Sequence, residues 1–476
     1  MKNFLKKYVA EIVLGILVVS YAAYFSYFTI LRHQTLYSGY FDLGIMNQAV
    51  FNTFRGNFLE ITNPEGLENF KRMAIHNDLI LALITPFYYI HLGPETLLVV
   101  QSVIIALGAI LLYLLAKSKL KSKILALTFS FSYLMFMPLQ RSNIFDFHSV
   151  TLAVTFLLTM FYFADKKKYL SAFVFLLLSL MTKEQVGLTT SFYAVYLFLD
   201  KQQKSKKFAW IVLLTSISWF VLSIWVVMPY FRQGQHFALS YYGDFGNKPE
   251  KVFLGIFTQP QKFASYFLQP SSFIYLFYLL FPVAFLPVFC LSILLIPLPE
   301  FAINFLSNNA NMQNIALHYS AIFIPFVFIA AVFGAKKILI HLHFLSAKKI
   351  ALIVFITSLL SAYLFGPLPL ARNQDIYPFL WPRSEVKHLA YWKDQFKNEN
   401  LIISASDSLG AHFTNRRYFY IFSKYYQQAD YVILRIDDIK NHVRQEEMTK
   451  IYENLKSDAQ FKLIFNQDGL EVYKKV

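Results

Sequence analysis

The sequence predicts a mainly α-helical, polytopic membrane protein: a bundle of about eleven spans carrying a small C-terminal α/β domain. Three observations lead there. Of 476 residues, 56% are hydrophobic and only 15% charged, too apolar a balance for a soluble globule. Several windows run about twenty residues without a charge, the length a helix needs to cross a bilayer. From about residue 367 the pattern changes to charge-rich helical stretches alternating with short β-like runs.

The net charge of +16 does not point to nucleic acid, because the lysines sit in short clusters between apolar segments, as in cytoplasmic loops of membrane proteins. "MKNFLKK" precedes the first span, 8–31, so the amino terminus is expected in the cytoplasm, with this span a retained signal anchor. An outer loop, 32–93, follows. Within it, 77–91 is apolar but too short to span, which predicts a helix lying at the outer interface. Further spans near 94–116, 123–139, 150–164, 168–182, 187–200, 208–230, 272–287, 288–306, 317–335 and 349–366 then place "KSKLKSK", "DKKK", "KQQKSKK" and 336–349 inside. Prolines at 282, 287, 297 and 299 make the division of 272–306 the least fixed. The single cysteine, Cys290, excludes an intrachain disulfide.

The membrane domain is thus 1–366 and the extracytoplasmic domain 367–476. The latter opens with a Pro-punctuated linker and continues with helices near 385–397 and 439–457. "LIISAS", "YFYIF" and "YVILRI" read as strands, and a hairpin is expected around Asp468-Gly469. It contains no phosphate loop, metal-spaced His/Cys cluster or nucleophile motif.

This topology gathers Asp42, His76, Asp78, Arg141, Asp146, His148, Lys183, Glu184 and His318 at the outer side. Ionisable groups at membrane depth are costly and face a cavity or a partner. Each has a structural alternative. Asp42 can be the N-cap of "LGIMNQAVFNTF"; Lys183 and Glu184 can be a local ion pair; His76, Asp78 and His318 can be interfacial anchors. In an extended "DFH", Asp146 and His148 would face one pocket, with Asp146 fixing the imidazole tautomer.

Seven segments, "YFDLGIMNQAVFNTFRGN", "HNDLILALITPFYYIHLGPETLLVVQS", "DFHSVTLAV", "MTKEQVGL", "PEFAINFLSNN", "LHYSAIFIPF" and "SASDSLGAHFTNRR", together resemble the membrane-protein family known as domain of unknown function 2079. An acid in the first outer loop, a Gln and a Gly after it, and "LLVVQS" opening the next span are also similar to the C superfamily of integral-membrane glycosyltransferases (GT-C). That resemblance implies a polyprenyl-phosphate-sugar donor, a glycan, lipid or protein acceptor, and transfer at the outer face of the cytoplasmic membrane. It makes Asp42 the catalytic or substrate-positioning carboxylate.

The residues suit such chemistry. A carboxylate near the acceptor hydroxyl removes its proton as the anomeric bond breaks, and cations stabilise the leaving phosphate. Asp42 is the expected base. His76, Arg141, Asp146, His148, Lys183, Glu184 and His318 are the expected substrate-binding set, with Glu184 holding Lys183. No cofactor is required, with a divalent metal left open. A lipid-linked sugar transporter or flippase, and a non-enzymatic envelope assembly protein, are the alternatives. A transporter would be expected to show repeat-related broken helices, and the sequence holds no convincing internal repeat.

Overall fold

The computed structural model describes residues 2–200, 205–233, 237–246, 248–342, 344–372 and 381–476. Residues 201–204 of "KQQKSKK", residue 343 of the 336–349 loop and residues 373–380 of the Pro-rich linker lie outside them.

Among the described residues, five helices are long and apolar enough to cross a membrane: Tyr8–Gln34, Pro94–Leu120, Lys206–Arg232, Phe323–His341 and Ala347–Phe365. Two bent pairs raise the number to seven if each is one span. The expected eleven also counted Ser149–Asp165, Tyr169–Leu180 and Val186–Leu199, which rise only about 18–26 Å at 1.5 Å per residue against a hydrocarbon core near 30 Å. The eleventh, 123–139, is a helix Lys123–Leu134 followed by a separate helix Met137–Ile144, with Pro138 inside the latter's first turn, where a missing N–H costs nothing.

The proline-rich stretch divides differently from the expectation. One break falls at Ala284 and Phe285, both left-handed (φ 54°). The other separates Leu286–Leu294 from Leu298–Phe305 at 97°, where Pro297 and Pro299 leave the chain short of amide donors. The span expected at 317–335 starts instead at Phe323, so His318 lies in a short 3-10 turn, His318–Ser320, ahead of it. The segment 77–91 contains the ten-residue apolar helix Ile80–Tyr89, which rises about 15–20 Å and cannot span.

At the lysine-rich end, Glu11 accepts from Lys117 (2.8 Å), Lys123 (3.1 Å) and Tyr113 (3.0 Å), and Lys119 pairs with Asp165. The Glu11 contacts tie the first helix to the connection the lysines mark, and the Lys119 pair ties that connection to Ser149–Asp165.

At the opposite end, β1 (Glu60–Thr62) and β2 (Asn69–Lys71) form an antiparallel hairpin within 32–93. The C-terminal sheet contains β3 (Ile403–Ala405), β4 (Phe419–Ile421), β5 (Tyr431–Arg435), β6 (Phe461–Gln467) and β7 (Leu470–Lys475) in the order β4-β3-β5-β7-β6. The first three are parallel and β7 is antiparallel to both its neighbours. The β6–β7 turn places Asp468 (φ 51°) and Gly469 (φ 82°) in the left-handed region, as a two-residue hairpin requires.

The segment 32–93 and the C-terminal sheet region share one apolar core. Leu43, Ala49, Phe51 and Leu97 pack in a single cluster with Trp392, Phe413, Phe419 and Val472. Helix Ile45–Phe54 supplies buried polar contacts across it. Asn47 Nδ2 donates to Thr414 Oγ1 and Asn415 Oδ1 (both 2.8 Å), and Gln48 Nε2 to the Arg417 carbonyl (3.1 Å) and Thr62 Oγ1 (3.0 Å). Asn47, Gln48 and Asn52 are fully buried. The polar residues after Asp42 therefore dock the C-terminal domain, and burial without these partners would cost roughly 1–3 kcal/mol each.

Candidate functional site

Asp42 does not cap a helix. It sits inside a π-helical turn, Tyr40–Gly44, leading into Ile45–Phe54. Two other carboxylates meet the free amides of this turn: Asp146 Oδ2 accepts from Gly39 N and Asp407 Oδ1 from Tyr40 N, both at 2.9 Å. Asp42 itself points the other way, its Oδ1 3.0 Å from His148 Nε2, with its side chain 34% exposed against 8% for the histidine.

His148 is held from behind. Gln101 Oε1 accepts from His148 N (2.9 Å) and Thr151 Oγ1 (2.6 Å), while Gln101 Nε2 donates to the carbonyls of Asp146 (2.9 Å) and Asn143 (3.1 Å). The imidazole stacks on His318, centroids 3.7 Å apart, and on Phe145 at 5.6 Å.

The expected pairing of Asp146 with His148 is not present. Asp146 is left-handed (φ 54°), which breaks the alternation of an extended loop and turns its carboxylate to Gly39 instead. Burial pushes Asp146 up to about 6, the Asp42 charge adds to this, and Arg32 opposes it.

Glu184 does not hold Lys183 by a hydrogen bond either. Its Oε1 accepts from His76 Nδ1 (2.9 Å) and its Oε2 from Asn77 N (3.1 Å). Burial alone would raise Glu184, but the adjacent His76 and Lys183 outweigh it and hold the carboxyl well below its usual range. Desolvation lowers His76 to about 4, opposed by Glu184. His318 is also pushed below its ordinary value, by burial and then by His148, Lys183 and His76. Burial thus disfavours the protonated form of both His76 and His318.

Arg141 lies apart. Its guanidinium donates to the Phe365 carbonyl (3.0 and 3.2 Å) at the end of Ala347–Phe365, and the residue does not line the cavity. Lys183 does line it, with Nζ 6.0 Å from the Tyr319 ring centroid, and among the described residues it has no carboxylate within ion-pair distance.

Asp42, His76, His148, Lys183, Glu184 and His318 all face one cavity of about 2300 Å³. Its walls include Leu188, Phe192, Ile217, Phe220 and Trp225 on the helical side, and Lys424, Tyr425, His442 and Arg444 on the C-terminal domain. The segment 77–91 contributes Asp78 to the wall, whereas its helix Ile80–Tyr89 contributes no wall residue. Among the described residues, no three His, Cys, Asp or Glu side chains converge as a metal-binding set.

Sequence reasoning missed several contributors. Arg72 makes a buried two-pronged contact with Asp78 (3.1–3.2 Å), which also accepts from Ser149 (3.3 Å). Gln185 Nε2 donates to both oxygens of buried Glu300 (2.7 and 2.8 Å). Asp407 lay in "SASDSLGAHFTNRR", a segment singled out for resemblance alone.

No curated protein matches the chain. A family profile described as predicted membrane protein, domain of unknown function 2079, matches residues 32–472, a stretch that takes in both the Asp42 turn and the C-terminal sheet. The chain belongs to this family of membrane proteins.

Proposed function

We propose that the protein is an integral-membrane glycosyltransferase of GT-C type that moves a sugar from a polyprenyl-phosphate carrier to a glycan, lipid or protein acceptor. The reaction takes place on the outer face of the cytoplasmic membrane, and the amino terminus is cytoplasmic. The observation that carries this reading is the Asp42–His148 pair facing a cavity that also holds Lys183.

In the proposed reaction Asp42 accepts the proton of the acceptor hydroxyl. The hydroxyl oxygen forms a bond to the anomeric carbon while the anomeric carbon–phosphate oxygen bond breaks, and the electron pair leaves on the phosphate. His148 donates Nε2–H to Asp42 Oδ1 and so orients the carboxylate, leaving the other oxygen for the acceptor. Lys183 offsets the charge developing on the phosphate, in surroundings where a cation is worth more than in water. The apolar wall from Leu188 to Trp225 suits a prenyl chain entering between helices, and the polar wall on the C-terminal domain suits an acceptor from the aqueous side.

The test is transfer from a radiolabelled polyprenyl-phosphate sugar in vesicles containing the purified protein and envelope acceptors. Asp42→Asn is expected to cut turnover about 10²–10⁴-fold with donor binding retained. Full transfer by Asp42→Asn would reject the base assignment. Movement of the donor across the bilayer with no transfer by the parent protein would instead establish a flippase.

A further inference from the structure

We propose that Asp407, carried by the C-terminal domain, is a positioning residue for Asp42, so that this domain completes the site. The inference rests on the functional reading above for its catalytic consequence, but the geometric claim stands apart from it.

The turn Tyr40–Gly44 lacks a side-chain cap of its own. Its first amides are met from elements distant in sequence, Asp146 at Gly39 N and Asp407 at Tyr40 N. A carboxylate at the start of a helical segment gains from the aligned peptide dipoles as well as from the hydrogen bond.

The two regions approach closely at three glycines. A Cβ on Gly39 would lie 3.1 Å from Asp407 Oδ2, one on Gly410 2.6 Å from Tyr40 Cβ, and one on Gly44 3.2 Å from Ala411 Cα. Tyr40 is fully buried with its ring 5.0 Å from that of Phe419. The short helix Asp407–Gly410 is pinned in turn, since Ser408 N and Oγ both donate to Asp438 Oδ2 (3.0 and 2.6 Å).

The direction of Asp42 thus depends on a clamp with one jaw in the membrane domain and one outside it. A displacement of about 1 Å at a reacting group can cost on the order of 10²-fold in rate, which is the scale on which the Asp407 jaw acts.

The test uses the full-length protein in detergent with Cys290→Ser and Asp42→Cys, and follows thiol alkylation against pH. A thiol beside His148 alkylates with a midpoint below the ordinary value of about 8.5. Adding Asp407→Ala is expected to return the midpoint toward that value, whereas Asp407→Asn, whose amide oxygen still accepts from Tyr40 N, keeps most of the depression. Should Asp407→Ala not fold, Gly39→Ala presses on the same carboxylate and is expected to shift the midpoint likewise. An unchanged midpoint in a folded Asp407→Ala or Gly39→Ala protein overturns the proposal.

In the transfer assay, with Asp42 intact, Asp407→Ala is expected to lower kcat about 10- to 100-fold with donor KM unchanged, and Asp407→Asn to recover most of it. Absence of transfer in the parent protein would reject the functional reading and leave the alkylation result to decide the clamp.

Discussion

His148 Nε2 lies 3.0 Å from Asp42 Oδ1 across 106 residues of sequence. Both are set by their backbones: Gln101 holds the amide of His148, and two distant carboxylates hold the turn that carries Asp42. Backbone anchors of this kind are what the proposed acid–base chemistry needs for a preorganised pair. The same anchors make the contribution of each neighbour separable by substitution.

Lys183 is the cavity-lining cation proposed to meet the phosphate. Lys183→Ala is expected to raise donor KM about 10- to 100-fold with a smaller change in kcat, and Lys183→Arg to restore part of it through charge alone. Steady-state kinetics over a range of donor concentrations checks this; a fall in kcat at constant KM would move Lys183 out of donor binding.

Glu184 bonds His76 and the Asn77 amide. Glu184→Ala is therefore expected to cost about 1–3 kcal/mol of stability by leaving buried donors unmet, with donor KM changed far less than by Lys183→Ala. Thermal unfolding and the same kinetics decide it. Equal KM effects from the two substitutions would instead make Glu184 the support of Lys183.

The Arg72–Asp78 contact leaves both side chains 3% exposed. Removing one partner strands the other charge, so Asp78→Ala is expected to lower stability by about 3–5 kcal/mol. Replacing both with apolar residues should cost less than that single change. A double variant as unstable as Asp78→Ala would show that packing rather than charge is at stake.

Asp146 is raised to about 6 from an ordinary 3.8, chiefly by burial and then by Asp42. The folded state consequently binds its proton more tightly than the unfolded state does, and stability from this group falls as pH rises from about 4 to 6. Asp146→Asn keeps an oxygen for Gly39 N and removes the titration. Its stability is expected to be flatter over that window and no lower than the parent's at pH 7.5. Chemical unfolding at several pH values checks this, and an unaltered slope would place the titration elsewhere.

Orientation follows from two engineered cysteines in a Cys290→Ser background. Lys121→Cys, in the lysine-rich connection, should be protected from an impermeant reagent in intact cells, while Val443→Cys, fully exposed in the C-terminal domain, should react. The reverse pattern would put the cavity on the cytoplasmic side.

Composition and periodicity determined that this is a helical membrane protein with a terminal α/β domain, because apolar runs and lysine clusters are one-dimensional signals. The five long helices, the hairpin at Asp468-Gly469 and the strands from Ile403 onward were legible for that reason. The number of spans was less so: Ser149–Asp165, Tyr169–Leu180 and Val186–Leu199 are apolar helices whose segments the sequence counted as short spans. In the site, residue type and side of the bundle marked Asp42, His148 and Lys183. Which groups meet was decided by tertiary structure. One left-handed residue, Asp146, turns its carboxylate from His148 to Gly39, and the fold brings Glu184 to His76 and Asp407 to Tyr40. Sequence spacing carries the direction of a side chain only where the backbone is regular. These contacts form at turns and between distant segments, where the path of the whole chain sets the partner.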